Sequence, residues 1–487
     1  MNNFQKIKQI LPKEHIMDDT MSYKSRFERL KIRSQILKKE HWTERKKRIK
    51  AFGEFLLVNE NRIGLAVQKD IGKPLVEVSI SEVYPVITEI KHAVENLKTW
   101  IEPELIDAPL TYLGTRSKII YEPKGVCLII GAWNFPINLC LGPLISCLAA
   151  GNTAILKPSE LTPNTSRLLC DLIKEFFDED LVTVVEGGVD VSTELLKLPF
   201  DHIFFTGSSG VGKIVMRAAA ENLSSVTLEL GGKSPTIIDD TANLADAARR
   251  IAFGKFLNNG QTCIAPDYVL IKESSKEKFI ELLKKEVEKS FGDKSPIDVS
   301  SPNYSRIINE KHFDRLHQLI LDATTRGAMT EWTGSINRGE RFMHPVILSN
   351  VSMDSKIMEE EIFGPVLPII SYSSIDKIVE IVNAKAKPLA LYVFSTSKKF
   401  QKRIMEETSA GSVCINDCVL QFTHPNLPFG GVNSSGIGKS HGKYGFLAFS
   451  NEKAVLKQRS GFSMPYLLHP PYTSRVKKLV DIMMRWF

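Results

Sequence analysis

From residue 125 onward, short apolar runs and longer amphipathic segments take turns, and this rhythm restricts the chain more than any other feature of its sequence. The runs Gly125 to Ile130, Thr153 to Leu156, Val182 to Glu186, His202 to Phe205 and Val226 to Leu230 read as strands of four to six residues. Between them, 137–150, 163–178 and 209–223 place apolar residues at helical spacing and are long enough to cross over between parallel strands. The combination specifies a parallel α/β sheet. The alternation resumes after 231 with a helical run at 275–291 and strand-like runs Val366 to Ser371 and Leu391 to Phe394, so a second α/β lobe is expected. Residues 23–66 and 75–102 are expected as long helices, punctuated by Asp70-Ile71-Gly72-Lys73-Pro74. A chain of 487 residues is too long for one core.

Composition removes several classes. With 43% hydrophobic and 24% charged residues the chain is neither disordered nor fibrous. No apolar run reaches the roughly 18 residues of a bilayer span, and the first twenty residues lack the apolar core of a secretory signal, so a cytoplasmic location is expected. The seven cysteines are odd in number and widely spread, a poor disulfide framework, and none stand in C-x-x-C spacing, so no metal site is expected. The formal charge of +7 is local: residues 23–50 hold twelve Lys or Arg against three Glu. Leu30, Ile32, Ile36, Leu37 and Trp42 interleave those charges, the pattern of a solvated helix face, and no nucleic-acid partner is expected.

Two glycine-rich strings invite a phosphate-binding reading. Thr206-Gly207-Ser208-Ser209-Gly210-Val211-Gly212-Lys213 follows a strand and opens a helix, where free amides and the helix dipole favour an anion. It matches seven positions of the nucleoside-triphosphate loop, but Ile214 stands where a magnesium-binding hydroxyl belongs. Its G-x-x-G-x-G spacing also departs from the dinucleotide fingerprint. Phe429-Gly430-Gly431-Val432-Asn433-Ser434-Ser435-Gly436-Ile437-Gly438-Lys439-Ser440 fails the same template at Asn433 and reads as a flexible loop between domains.

Three further strings carry reactive groups. Asn258-Asn259-Gly260-Gln261-Thr262-Cys263 puts one thiol in a polar turn, where a thiolate is less suppressed than in an apolar run. Glu229-Leu230-Gly231-Gly232-Lys233 ends a strand with a carboxylate, where α/β sheets keep their ligand crevice. Gly131-Ala132-Trp133-Asn134-Phe135-Pro136 ends another with an amide able to donate to an oxyanion. Singly these are a spectator cysteine, a strand-end charge and a turn; jointly they form a set.

That set, with Lys157-Pro158-Ser159-Glu160, Glu361-Ile362-Phe363-Gly364-Pro365 and Leu427-Pro428-Phe429-Gly430-Gly431, resembles the aldehyde dehydrogenase superfamily from about residue 25 to 460. The Asn258-Asn259-Gly260-Gln261-Thr262-Cys263-Ile264-Ala265-Pro266-Asp267-Tyr268 string and His441-Gly442-Lys443 with Phe446 are similar to its class-three branch, the relatives of fatty-aldehyde enzymes. The resemblance implies an α/β fold with a Rossmann-type cofactor domain over 1–102 and 124–231 and a catalytic domain over 232–417. It also implies a β bridging and oligomerisation segment from 103–123 with 418–450, then a C-terminal extension over 451–487. It implies Cys263 as nucleophile, Glu229 as the base for water, and Asn134 with the Cys263 amide around the oxyanion. It implies cofactor contacts at Trp133, Lys157, Glu160, Gly207, Ser208, Gly212, Gly231, Glu361 and Phe363. A carboxylate at Glu160 favours NAD over NADP, and a homodimer is expected.

Residues 474–487 repeat Val476, Leu479, Val480, Met483, Met484 and Phe487 at helical spacing with Arg475, Lys477, Lys478, Asp481 and Arg485 elsewhere, an amphipathic helix too short to span a bilayer. It would lie on a membrane surface, or pack on its own subunit or a partner. The expected activity is NAD(P)-dependent oxidation of an apolar aldehyde to its acid. A specialised semialdehyde, transfer of the acyl group to coenzyme A and a catalytically silent scaffold are the alternatives; the carboxylate at Glu229 argues against the second.

Overall fold

The structure, a computed structural model, describes residues 22–109, 112, 114–292, 296–461 and 464–486. Phe487 and the first twenty residues, on which the leader-sequence reading rests, lie outside them.

The expected strands form a six-stranded sheet in the order Gly436–Ile437, Ser225–Glu229, His202–Thr206, Val126–Ile130, Thr153–Lys157, Val182–Val184. All neighbours are parallel except Gly436–Ile437, which runs antiparallel to Ser225–Glu229. The strands His202–Thr206, Val126–Ile130 and Thr153–Lys157 are buried along their whole length, which is why they read as continuous apolar runs. Val126–Ile130 sends the chain first to Thr153–Lys157 on one side and later receives His202–Thr206 on the other. The order reverses there, and a parallel sheet opens its ligand crevice at the carboxyl ends flanking such a reversal. The Gly131–Pro136 string and the Gly207-Ser208 turn both leave the sheet at this place.

A second sheet of seven strands, Met329–Trp332, Val346–Ser349, Val366–Tyr372, Tyr268–Lys272, Pro235–Ile238, Ala390–Phe394 and Ser412–Ile415 in that order, makes the second lobe. Helices Leu244–Phe256 and Glu273–Phe291 bury Ile251, Phe256, Phe279 and Leu283 against it.

Three expectations are corrected. The helix read over 23–66 is three helices, Tyr23–Leu37, Trp42–Val58 and Glu60–Ile71. The second break falls at Asn59, whose amide donates to Phe55 O at 2.9 Å and closes the preceding turn, a local competition that apolar spacing does not register. The helix read over 75–102 passes through a π-helical turn at Ser79–Val83 before continuing as Tyr84–Ile101. The small sheet built from Glu104–Ile106 and Thr115–Pro123 is completed by Ser450–Gln458, so its third strand begins where the 418–450 segment was expected to end and runs into the expected extension. The basic N-terminal face is largely spoken for: Arg29 reaches Glu179, Arg33 reaches Asp178, Arg48 pairs with Glu40, and Arg45 donates to Ala150 O at 3.1 Å. Ser474–Trp486 is helical, with Val476, Leu479, Val480 and Met483 half-buried and Ile482 and Met484 exposed.

Candidate active site

A cavity of about 370 Å³ opens between the lobes, and Glu229, Thr262 and Cys263 stand in its wall together. Glu229 is the last residue of a sheet strand, while Cys263 follows the helix Leu244–Phe256 through a turn of unusual backbone. Asn258 and Asn259 take φ of 52° and 56°, and Gly260 takes 72°. Asparagine tolerates the left-handed region and glycine enters it freely; a Cβ on Gly260 would also strike Gly364 O. Gln261 locks the turn by donating to Asn258 O at 3.0 Å and Arg306 O at 2.9 Å while accepting from Ile308 N at 2.9 Å. The Asn-Asn-Gly-Gln order before the cysteine is therefore what the backbone path requires.

Asn134 meets this turn from the other lobe. Its side-chain amide donates to Gln261 O at 3.1 Å, and its carbonyl accepts from Asn258 Nδ2 at 2.8 Å and Lys73 Nζ at 3.2 Å. One amide hydrogen of Asn134 is thus engaged and one is left over. Behind it lies a polar network that the sequence reading missed. Lys73 and Glu82 are wholly buried and paired at 2.8 Å, and the second oxygen of Glu82 accepts the N–H groups of Ile137 and Asn138, both at 3.1 Å, at the start of the helix Asn138–Ala150. Glu77 accepts from Asn258 N at 2.9 Å, and burial pushes its carboxyl up to about 7. Gly72-Lys73-Pro74 reads in sequence as helix punctuation only; the one available signal was a lysine set among apolar neighbours.

Glu229 is buried, and the desolvation lifts its carboxyl to about 8 against the opposing pull of Ser440 and Lys439. Ser440 Oγ donates to Oε1 at 2.9 Å, while Oε2 has no hydrogen-bond partner among the described residues. The glycine-rich string around it is not the flexible connector expected. Gly436 pairs with Glu229, Leu230 N donates to Ser435 O at 3.1 Å, and Phe429 and Ser440 exchange two backbone hydrogen bonds. The half-buried Cys263 thiol is pushed up by burial and by the carboxylates of Glu361 and Glu229, and drawn back by its own backbone N–H and that of Ile264. Exposure does not single it out, since Cys414 is half-buried as well. Position does.

The expected cofactor residues gather around the reversal point of the sheet. Gly207 follows the strand His202–Thr206, and Ser208 caps the helix Ser209–Glu221, with Val211 N donating to its hydroxyl at 3.4 Å. A Cβ on Gly212 would collide with Leu230, which lets the helix lie close on the sheet. Lys157 ends its strand buried, donating to Glu160 at 2.8 Å, and the Glu160 side chain is 43% exposed. Glu361 stands where a Cβ on Gly231 would be, and burial, then Asp267, raise its carboxyl to about 8. Phe363, at φ 50°, meets Trp133 edge to face at 5.4 Å.

The sequence model described as the aldehyde dehydrogenase family matches residues 28–455, most of the chain and every residue of this site. The chain belongs to that family. The aldehyde dehydrogenase is 44% identical over 433 residues to 4,4'-diaponeurosporen-aldehyde dehydrogenase of Staphylococcus aureus, covering 89% of this chain and 93% of that one. It is 43% identical over 428 residues to aldehyde dehydrogenase family 3 member A2 of the mouse, covering 88% and 87%. Among solved structures it is similar to the substrate-bound state of Staphylococcus aureus AldH, with a TM-score of 0.90 and 41% identity over 95% of this chain and 100% of that chain. The fold is therefore that of the aldehyde dehydrogenases, and the protein is an NAD(P)-dependent enzyme of this family with relatives in its class-three branch.

Proposed function

We propose that this aldehyde dehydrogenase oxidises an apolar aldehyde, aliphatic of medium to long chain or aromatic, to the carboxylic acid through a covalent intermediate on Cys263. The observation that carries the reading is the cavity itself: Tyr84, Phe135, Phe253, Leu257 and Phe422 line it on the way to Cys263 and Glu229. Such a wall selects apolar substrate by burying its surface, at about 0.8 kcal/mol for each buried CH₂. The Staphylococcus aureus relative, a 4,4'-diaponeurosporen-aldehyde dehydrogenase, agrees with an aldehyde enzyme of this kind.

In this mechanism Cys263 Sγ, as thiolate, adds to the aldehyde carbon, and the remaining Asn134 amide hydrogen with the Cys263 backbone N–H faces the oxygen of the thiohemiacetal. The strand, glycine turn and capped helix at Gly207-Ser208 fit a dinucleotide, and the lack of a side chain at Gly231 gives the Glu361 carboxyl its place. Lys157, Glu160, Gly207, Ser208 and Gly212 would hold its adenosine and pyrophosphate end, and Trp133, Gly231, Glu361 and Phe363 its nicotinamide end. When bound, the nicotinamide supplies the hydride acceptor. Glu229 then takes a proton from the water that hydrolyses the thioester, a role suited to a carboxyl lifted to about 8. The Glu160 carboxylate beside Lys157 would repel a 2′-phosphate, so we propose NAD as the preferred cofactor.

The enzyme is proposed to act as a cytoplasmic homodimer, with the amphipathic faces of Ser474–Trp486 set either on a membrane surface or against protein. No helix among the described residues is long and apolar enough to cross a membrane. The test of the substrate class is NADH formation against aldehydes from acetaldehyde to hexadecanal, plus benzaldehyde, with NAD and with NADP. Values of kcat/KM that rise with chain length are expected; a flat or absent response overturns the apolar assignment.

A further inference from the structure

We propose that Ser440 is a positioning residue for hydrolysis of the acyl intermediate: its hydroxyl fixes one oxygen of Glu229 so that the other oxygen receives the proton of the attacking water. The proposal rests on Glu229 acting as the general base.

The geometry begins with the backbone. Ser225–Glu229 is hydrogen-bonded on one side to His202–Thr206 and on the other to Gly436–Ile437. The loop beyond Ile437 turns back so that Ser440 N donates to Phe429 O at 2.7 Å and Phe429 N donates to Ser440 O at 3.2 Å. Lys439 Nζ closes the same loop by donating to Gly430 O at 2.6 Å and Gly431 O at 3.3 Å. These ties leave Ser440 little freedom and set its Oγ 2.9 Å from Glu229 Oε1.

The hydroxyl has one hydrogen and two acceptors in reach, Glu229 Oε1 and, at 3.3 Å, Phe429 O. With Glu229 ionised the hydrogen goes to the carboxylate, and with Glu229 protonated it can turn to Phe429. A donor that prefers the charged form favours that form. Oε2 is buried, without a hydrogen-bond partner among the described residues, in a side chain that lines the cavity with Cys263. A carboxylate with one oxygen held and one bare presents a single basic atom to the reacting centre. In the step, the water oxygen bonds to the thioester carbon and its proton passes to Oε2. The tetrahedral adduct collapses, the C–S bond breaks, Cys263 leaves as thiolate and the carboxylic acid departs; Glu229 then returns its proton to solvent.

The titratable groups around Glu229 are Lys439 on the loop and Cys263 across the cavity, with Tyr84, Glu89, Asp417, Cys418 and His441 on the remaining wall. Only Ser440 donates a hydrogen bond to the Glu229 carboxylate among the described residues. The test is a titration of the Glu229 carboxyl by infrared difference spectroscopy, assigned by its loss in Glu229→Gln, in wild type, Ser440→Ala and Ser440→Thr. Loss of a charge-directed hydrogen bond should raise the midpoint in Ser440→Ala by about one pH unit and move the acid limb of steady turnover with it. Ser440→Thr, which keeps the hydroxyl, should restore both. An unchanged midpoint in Ser440→Ala overturns the proposal. Turnover retained by Glu229→Gln would overturn the base assignment itself, whatever Ser440→Ala does, so the two failures are distinguishable.

Discussion

Replacement of Lys73 by methionine tests the buried network behind the catalytic turn. Lys73 and Glu82 are both without solvent exposure, and the ammonium is the only cation paired with that carboxylate among the described residues. Without it, Glu82 keeps only the N–H groups of Ile137 and Asn138, and burial drives its already raised carboxyl higher, so the folded variant holds a proton at neutral pH. The unfolded chain releases that proton above about 4.5. Wild-type Glu82 is itself raised by burial, so the variant's deficit relative to wild type is small near pH 5 and grows with pH, by at most about 1.4 kcal/mol per pH unit. The ~3–5 kcal/mol typical of breaking a buried pair from one side sets its upper range. Urea unfolding at pH 5 and pH 7 should show Lys73→Met close to wild type at the lower pH and well below it at the higher. Lys73→Met with Glu82→Leu removes both charges and should recover most of the stability, while still lacking the Lys73 bond to the Asn134 carbonyl and therefore losing turnover. A deficit equal at the two pH values would refute the reasoning.

Further outcomes follow from the site. Cys263→Ala should abolish dehydrogenase turnover while leaving calorimetric NAD affinity nearly intact, since every residue proposed to hold the cofactor is kept. Steady turnover should fall as the pH drops through about 8, where Glu229 gains its proton and ceases to act as a base; a stopped-flow pH profile flat from 6 to 9 would contradict this. Glu160→Ala should improve kcat/KM with NADP by about tenfold, the ~1.4 kcal/mol expected of one removed like-charge contact.

The parallel sheets were legible because strands buried on both faces leave unbroken apolar runs, and the residues at their carboxyl ends, Asn134, Gly207 and Glu229, could be placed from those runs alone. Ser450–Gln458 could not. Its sequence, Ser-Asn-Glu-Lys-Ala-Val-Leu-Lys-Gln, is exposed along most of its length, so no alternation marks it as a strand. The polar turn singles out Cys263 in the sequence through exposure, whereas in the structure the left-handed path of Asn258, Asn259 and Gly260 sets its position in the cavity wall with Glu229. Lys73, Glu82 and Ser440 escaped because each acts through a partner distant in sequence: Glu82 reaches residues 55 and 56 positions away, and Ser440 reaches Glu229 across 211. Spacing rules see neighbours along a helix or strand, not contacts between segments distant in sequence. The phosphate-loop likeness of Gly207 to Lys213 had a different outcome, for the same turn that fails as a nucleoside-triphosphate loop stands at the reversal of the sheet, where parallel sheets open their ligand crevice.

The central claim is that oxidation runs through an acyl group on Cys263 that Glu229 helps to remove. Intact-mass and peptide mass spectrometry of Glu229→Gln after mixing with NAD and decanal tests it most directly. The account predicts one decanoyl group per subunit, on the peptide carrying Cys263, and a single equivalent of NADH. Steady NADH production by this variant with Cys263 unmodified would contradict it.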